Sequence, residues 1–257
     1  MCELFGICAK EPVSVNAWLR AFYRHSEEHR DGWGLAVFYD HGMVLEKEPV
    51  KAADSRYLNQ RLSADLSVRN LFAHIRKATV GQIAYANCHP FSRNDSSGRI
   101  WTLMHNGTMF NSACIFPYLA DQEGTTDSER ILLCIIDHIR AFQQKHGRIP
   151  DAGERFMLLD DLIRKMAEGN KLNLMLFDGD TMYVHTNCKD TLFSRSIDGA
   201  AIFATKPVLT EGWEAVPANQ LLAYRDGTLI RKGIPHCCTY IDNEHDLLTL
   251  YAAYAEL

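Results

Sequence analysis

Two amphipathic helical segments in immediate succession, set between groups of short strand-like runs, restrict this chain to sheets covered by helices. The first begins at a polar group, Thr126, Asp127, Ser128 and Glu129. It carries Ile131, Leu132, Ile135, Ile136 and Ile139 as a wide apolar stripe to position 145, and Gly147 and Pro150 stop it. The second covers residues 152–168 and stops at Gly169-Asn170. Hairpins follow. Asp178-Gly179-Asp180 joins strand candidates at 172–177 and 181–185, and Asp226-Gly227 joins those at 221–225 and 228–231. Upstream, Ser14 reads as an N-cap, and Val15, Trp18, Leu19 and Phe22 recur at helical spacing, which predicts a helix to about His29. His41-Gly42 turns the run 35–39 into 43–47, a helix is expected over 55–62, and strands are expected over 71–76, 100–105 and 200–205. Residues 246–255 read as a closing helix. Periodicity leaves open how these layers stack.

At 257 residues, with no internal repeat and no low-complexity linker, the chain is long enough to bury a large core, and we read residues 1–257 as a single domain. The formal charge of −5 and the lack of any lysine or arginine run argue against a nucleic-acid partner. The apolar runs at 131–136 and 172–177 fall far short of the ~18 residues that suggest a membrane span. No charged segment leads into an apolar one at the start, so no secretory signal is expected. Eight cysteines without regular spacing then read as reduced thiols in the cytoplasm. Cys88-His89 and His236-Cys237-Cys238 have no partner at zinc-site spacing, and no metal is expected.

Chemistry can reside in five places. Cys2 follows the initiator methionine, and removal of Met1 would put a thiol and a free α-amine on one residue. An amine of pKa about 7.7–8.0 can take the proton of a thiol near about 8.5, so nucleophile and base arrive together. The plainer reading of Cys2 is a small buried apolar side chain. Arg76, at the end of a strand and followed by Lys77-Ala78-Thr79-Val80-Gly81, offers a planar fork for a carboxylate, or is a surface arginine. His89 precedes Pro90 in a constrained loop, which favours extended geometry for it, and its plainer reading is a satisfied loop histidine. Asn106-Gly107 sets an amide side chain beside a glycine N–H, two donors that can converge on an oxyanion, unless it is an ordinary Asn-Gly turn. Asp127 at a helix start can bind an amine or favour the helix dipole.

Taken in order, Cys2, the segment 76–81, His89-Pro90-Phe91, His105-Asn106-Gly107 and Thr126-Asp127-Ser128 together resemble the class II glutamine amidotransferases, which are N-terminal-nucleophile hydrolases. Asp31-Gly32-Trp33-Gly34 and the chain length look most like the stand-alone YafJ-like type. The resemblance implies an α+β fold, a four-layer αββα sandwich with two mostly antiparallel sheets between helix layers. It implies that Cys2 attacks the glutamine side-chain amide, that Asn106 and the Gly107 N–H hold the oxyanion, and that Arg76 and Asp127 grip the α-carboxylate and α-ammonium. Thr79 would line the substrate pocket, and His89 would be a loop residue beside it. No cofactor is implied. The expected partner is glutamine or another γ-glutamyl small molecule, with a separate synthase or acceptor protein for the ammonia. A free-standing hydrolase of γ-glutamyl amides or peptides is the alternative, and a non-catalytic binding or regulatory module is a third reading.

Overall fold

The computed structural model describes residues 2–78, 81–209, 211–244, 246 and 248. Its elements in chain order are β1 (Glu3–Ser14), α1 (Asn16–Tyr23), β2 (Trp33–Tyr39), β3 (Gly42–Glu48), α2 (Arg56–Arg61), β4 (Ser67–Ile75), β5 (Phe91–Asn94) and β6 (Ile100–Thr108). There follow α3 (Asp127–His146), α4 (Ala152–Met166), β7 (Lys171–Phe177), β8 (Met182–His185), β9 (Phe193–Ile197), β10 (Ala200–Ala204), β11 (Glu214–Ala215), β12 (Leu222–Arg225) and β13 (Thr228–Lys232). The strands form two sheets, ordered β11-β9-β10-β1-β4-β2-β3 and β13-β12-β8-β7-β6-β5, and every strand pair between described residues is antiparallel.

Side-chain alternation along the strands produces the layers. On β1, Phe5, Ile7 and Ala9 join Leu19 and Phe22 of α1 and Leu58 of α2 in one core cluster. Leu4 and Cys8 point the other way and meet Met104 of β6 and Met175 of β7 in a second cluster between the sheets. On β6 and β7, Trp101, Leu103, Leu172, Leu174 and Leu176 pack against Ile131, Ile135 and Ile139 of α3 and Leu159 and Ile163 of α4. Helices, sheet, sheet and helices are therefore stacked as αββα. Gly6 permits the close approach of the sheets, because a Cβ there would lie 2.8 Å from Met175 Sδ.

The long helices start and stop for the reasons visible in the sequence. Thr126 Oγ1 accepts from the Glu129 N–H, and Gly147 ends α3 in the left-handed region at φ 65°. Asp151 and Glu154 form a reciprocal capping box on α4. The first helix differs from expectation. Ser14 is the last residue of β1, Val15 stands at the N-cap without a side-chain bond, and α1 tightens at Arg24 into a 3-10 turn to Glu27. Val15, Leu19 and Phe22 are buried as the periodicity requires, but the preceding polar residue serves the strand instead of the cap. The closing helix expected over 246–255 lies almost wholly outside the described residues. No helix among the described residues is long and apolar enough to cross a membrane.

Candidate active site

Cys2 lies immediately before β1, and the parity that sends Leu4 and Cys8 between the sheets applies to it as well. It lines one small pocket together with Arg76, Lys77, Ala78, His89, His105, Asn106, Gly107, Thr126, Asp127 and Ser128. Four element ends meet there: the start of β1, the segment leaving β4, the start of α3 and the far end of β6. The Cys2 thiol donates weakly to the Lys77 carbonyl at 3.5 Å. Crowding of protein atoms around the sulfur pushes the thiol pKa up, opposed by that hydrogen bond and by Arg76.

Arg76 follows β4 directly and is 2% exposed. Its guanidinium donates to the Gly81 and Gln82 carbonyls at 3.1 and 3.0 Å. The surface-arginine reading is thereby excluded, and part of its fork holds the loop that forms one wall. Asp31-Gly32 clamps the same segment from behind. The Arg76 N–H donates to the Gly32 carbonyl at 2.8 Å, and Asp31 Oδ2 accepts from the Ala78 N–H at 2.7 Å. Trp33-Gly34 extends this role, because a Cβ at Gly34 would overlap the His89 carbonyl. The glycines of the stretch 31–34 thus let the His89 loop lie against β2.

Asn106 and Gly107 lie within β6, paired with Asn173 and Leu172 of β7, so the Asn-Gly turn reading is wrong here. A turn needs the chain to reverse, whereas the ladder continues through Thr108. Gly107 is required because a Cβ would overlap the Lys171 carbonyl. Asn106 is 5% exposed and faces the pocket. His105 faces the opposite way, toward α3, where its Nε2 meets the Lys171 carbonyl at 3.2 Å and its Nδ1 meets Ser128 Oγ at 3.0 Å. Burial pulls the His105 pKa down, and Asp127 partly offsets this. A neutral ring that donates from Nε2 to the Lys171 carbonyl can take the Ser128 hydroxyl proton at Nδ1 only in competition with Asp127 Oδ1.

Asp127 occupies the first turn of α3, where Thr126 does the capping. Its Oδ2 accepts from the Met109 N–H at 2.9 Å and its Oδ1 from Ser128 Oγ at 3.3 Å. The carboxylate therefore also ties α3 to the end of β6. His89, joined to Pro90 by a cis peptide bond, is 3% exposed and stacks on His74 with ring centroids 4.2 Å apart. Thr79 lies outside the described residues. Among the described residues no group of three or more His, Cys, Asp or Glu is arranged to hold a metal ion. Cys88 instead approaches the Glu48 and Ala84 carbonyls, and His236 pairs with His185.

Three contributors escaped sequence reasoning. Asn87 joins the two loops around the pocket, donating to the Gln82 carbonyl and to Thr125 Oγ1 and accepting from the Thr125 N–H. Its signal was the pair Gly81 and Gly124, both of which leave room for the Asn87 side chain. Glu129, 1% exposed, accepts from the Glu123 and Gly124 N–H groups and pairs with Arg93. Such a fixed carboxylate holds the loop before α3. His74 had no signal beyond its place in an apolar strand.

Comparison with known proteins agrees with this architecture. The chain is 27% identical over 264 residues to an uncharacterized protein of Methanocaldococcus jannaschii, covering 90% of this chain and 71% of that one. It is 27% identical over 196 residues to the Escherichia coli protein YafJ, described as a glutamine amidotransferase, covering 75% and 74%. The crystal structure of a predicted glutamine amidotransferase from Pseudomonas aeruginosa superposes with a TM-score of 0.64 at 20% identity, over 90% of this chain and 100% of that one, and so shares the fold. The family model for class II glutamine amidotransferases matches residues 1–197, which is most of the chain, and the chain belongs to that family.

Proposed function

We propose that this chain, processed to a free Cys2 amine, hydrolyses the side-chain amide of glutamine through a cysteinyl thioester. The observation that carries the reading is the convergence of Cys2, Asn106, Gly107, Arg76 and Asp127 on one pocket from distant parts of the chain. The Cys2 sulfur attacks the amide carbon while the α-amine takes its proton, and the resulting oxyanion is held by Asn106 Nδ2 and the Gly107 N–H. Collapse breaks the carbon–nitrogen bond, and the proton passes to the departing ammonia. Water then attacks the γ-glutamyl thioester, releasing glutamate and restoring the thiol. Arg76 supplies positive charge for the substrate α-carboxylate and Asp127 negative charge for its α-ammonium, while His89 lines the pocket wall.

An unperturbed thiol is mostly protonated near neutral pH, and the α-amine of a processed Cys2 is a base on the same residue that can take its proton. A peptide-bonded Cys2 nitrogen has its lone pair delocalised into a carbonyl and cannot serve. Processing at Met1 is therefore part of the proposal, as is the working of residues 1–257 as one catalytic domain that supplies ammonia to a separate acceptor. The test uses protein separated by intact mass into Met1-bearing and Cys2-initiated fractions. Each is assayed for glutamate and ammonia release from glutamine, glutathione and γ-glutamyl amines, and labelled with a diazo-ketone glutamine analogue. Turnover of glutamine and one adduct on Cys2, both confined to the processed fraction, are expected. An adduct on Cys8, Cys88 or Cys114 would refute the nucleophile, equal activity in the two fractions would refute the base, and preference for γ-glutamyl amines over glutamine would replace the substrate.

A further inference from the structure

Beside the Cys2 pocket lies a cluster of buried polar atoms that the proposed chemistry does not use. His74 and His89 are 0% and 3% exposed, their rings are stacked 4.2 Å apart, and among the described residues none of their four ring nitrogens has a hydrogen-bond partner. Asn106 Oδ1 is also buried and without a partner among the described residues. These atoms share one region. His74 belongs to the inter-sheet face of β4 by the parity that sends Phe72 there, and it is paired with Leu4 of β1. Asn106 belongs to the inter-sheet face of β6 by the parity of Met104, and His89 and Asn106 line the same pocket.

The Asn106 amide works as an oxyanion donor in only one of its two orientations. Turned by 180° about its last bond, it would present Oδ1, with partial negative charge, to the developing oxyanion. Something must hold Oδ1 on the side away from Cys2. Asn173, the neighbour of Asn106 across the ladder, is committed elsewhere: its Nδ2 donates to Thr191 Oγ1 at 2.9 Å and its Oδ1 accepts from Thr186 Oγ1 at 2.6 Å. The imidazole N–H groups of His74 and His89 are unused donors beside this pocket. Burial keeps both rings neutral, and Arg76, Lys47 and His105 nearby act in the same direction, so each ring has one donor and one acceptor. Unmet polar atoms in the interior cost about 1–3 kcal/mol each, and a buried water needs two to four polar partners. The cluster offers that number.

Resting on the cysteine-thioester reading above, we propose that His89, backed by His74, is a positioning residue. It holds an ordered water against Asn106 Oδ1 and so keeps Asn106 Nδ2 turned toward the Cys2 sulfur. His89 touches no reacting atom.

Two measurements test this. A high-resolution crystal structure of the processed wild-type protein should show solvent within hydrogen-bond distance of both Asn106 Oδ1 and a His89 ring nitrogen. A dry contact, or an amide held by another group, would overturn the proposal. In glutaminase kinetics, His89→Phe should lower kcat with little change in KM, by no more than the about 10²–10³-fold that loss of one oxyanion donor produces. His89→Gln, which keeps a donor and an acceptor, should recover most of that loss. In an Asn106→Ala background, His89→Phe should cost nothing further, since it acts only through Asn106; a full additive loss would overturn the proposal. Should wild type neither form a Cys2 adduct nor turn over glutamine, the thioester reading falls, while the crystallographic result still decides whether the water bridge exists.

Discussion

Acidification from pH 7 to pH 5 should destabilise this fold through its buried imidazoles, and His185 allows the size to be worked out. His185 is fully buried on β8. Its Nδ1 donates to the Leu172 carbonyl at 2.9 Å, and its Nε2 faces His236 Nε2 at 3.0 Å. With Nδ1 protonated, His185 Nε2 must accept from His236, whose own Nδ1 accepts the Cys238 N–H at 3.2 Å. A second proton on His185 would set two N–H groups head to head. Burial, with His236 adding to it and the Leu172 bond opposing, pulls the pKa from 6.5 down to about 3. The unfolded chain therefore binds a proton that the folded chain refuses between those values, so stability falls as pH drops below 6.5. At pH 5 the loss from this one group is about 2 kcal/mol, at about 1.4 kcal/mol per pH unit. His74 and His89 are held well below 6.5 by burial and act with the same sign. Urea unfolding at pH 7, 6 and 5 and constant ionic strength should show uptake of more than one proton on unfolding, and His185→Gln should remove about one of them. An unchanged pH slope in His185→Gln would refute the assignment.

The other predictions concern the site and one buried ion pair. Asn106→Ala should lower glutaminase kcat by about 10²–10³-fold with KM nearly constant; a rise in KM with kcat preserved would mean that Asn106 contacts the ground state. Arg76→Ala and Asp127→Ala should raise KM for glutamine. Amides lacking the α-carboxylate or α-amine should be poor substrates of wild type, and equal turnover of such truncated amides would remove both assignments. Because Arg76 also holds the Gly81 and Gln82 carbonyls, and Asp127 the Met109 N–H, both variants should lose some kcat as well. Asp178 is fully buried, and its Oδ2 accepts from Arg155 Nε at 2.6 Å and from the Tyr183 hydroxyl at 2.8 Å. Asp178→Ala should leave the buried Arg155 held by Asp180 and the Pro150 carbonyl alone, at a cost of up to about 3–5 kcal/mol, read as a Tm loss of up to roughly 6–20 °C; a change under about 2 °C would show that those two contacts suffice.

What could be read from the sequence was local. Hairpins came from Asp-Gly and His-Gly turns, α3 from Thr126 and Gly147, and the end of β4 at Arg76 from a short apolar run, since each depends on neighbours within a few positions. Strand order did not follow, because pairing Leu4 with both His74 and Thr205 neighbours is decided by contacts across most of the chain. The same limit explains the misreadings. Asn-Gly is a turn signal only when the flanking strands pair with each other; here β6 pairs with β7 across two intervening helices, and Gly107 answers a close approach of the Lys171 carbonyl instead of a reversal. Ser14 has the chemistry of a cap, yet β1 pairs with β4 through Ser67 and takes Ser14 into the sheet. For the site, the family resemblance supplied residues whose proximity no local rule could reach. What it could not supply were the supports, Asn87 and Glu129, because their work is visible only in what they touch. A site assembled from the start of β1, the exit of β4, the end of β6 and the start of α3 depends on those supports for its spacing, and substitutions at Asn87 or Glu129 should therefore weaken turnover without touching substrate.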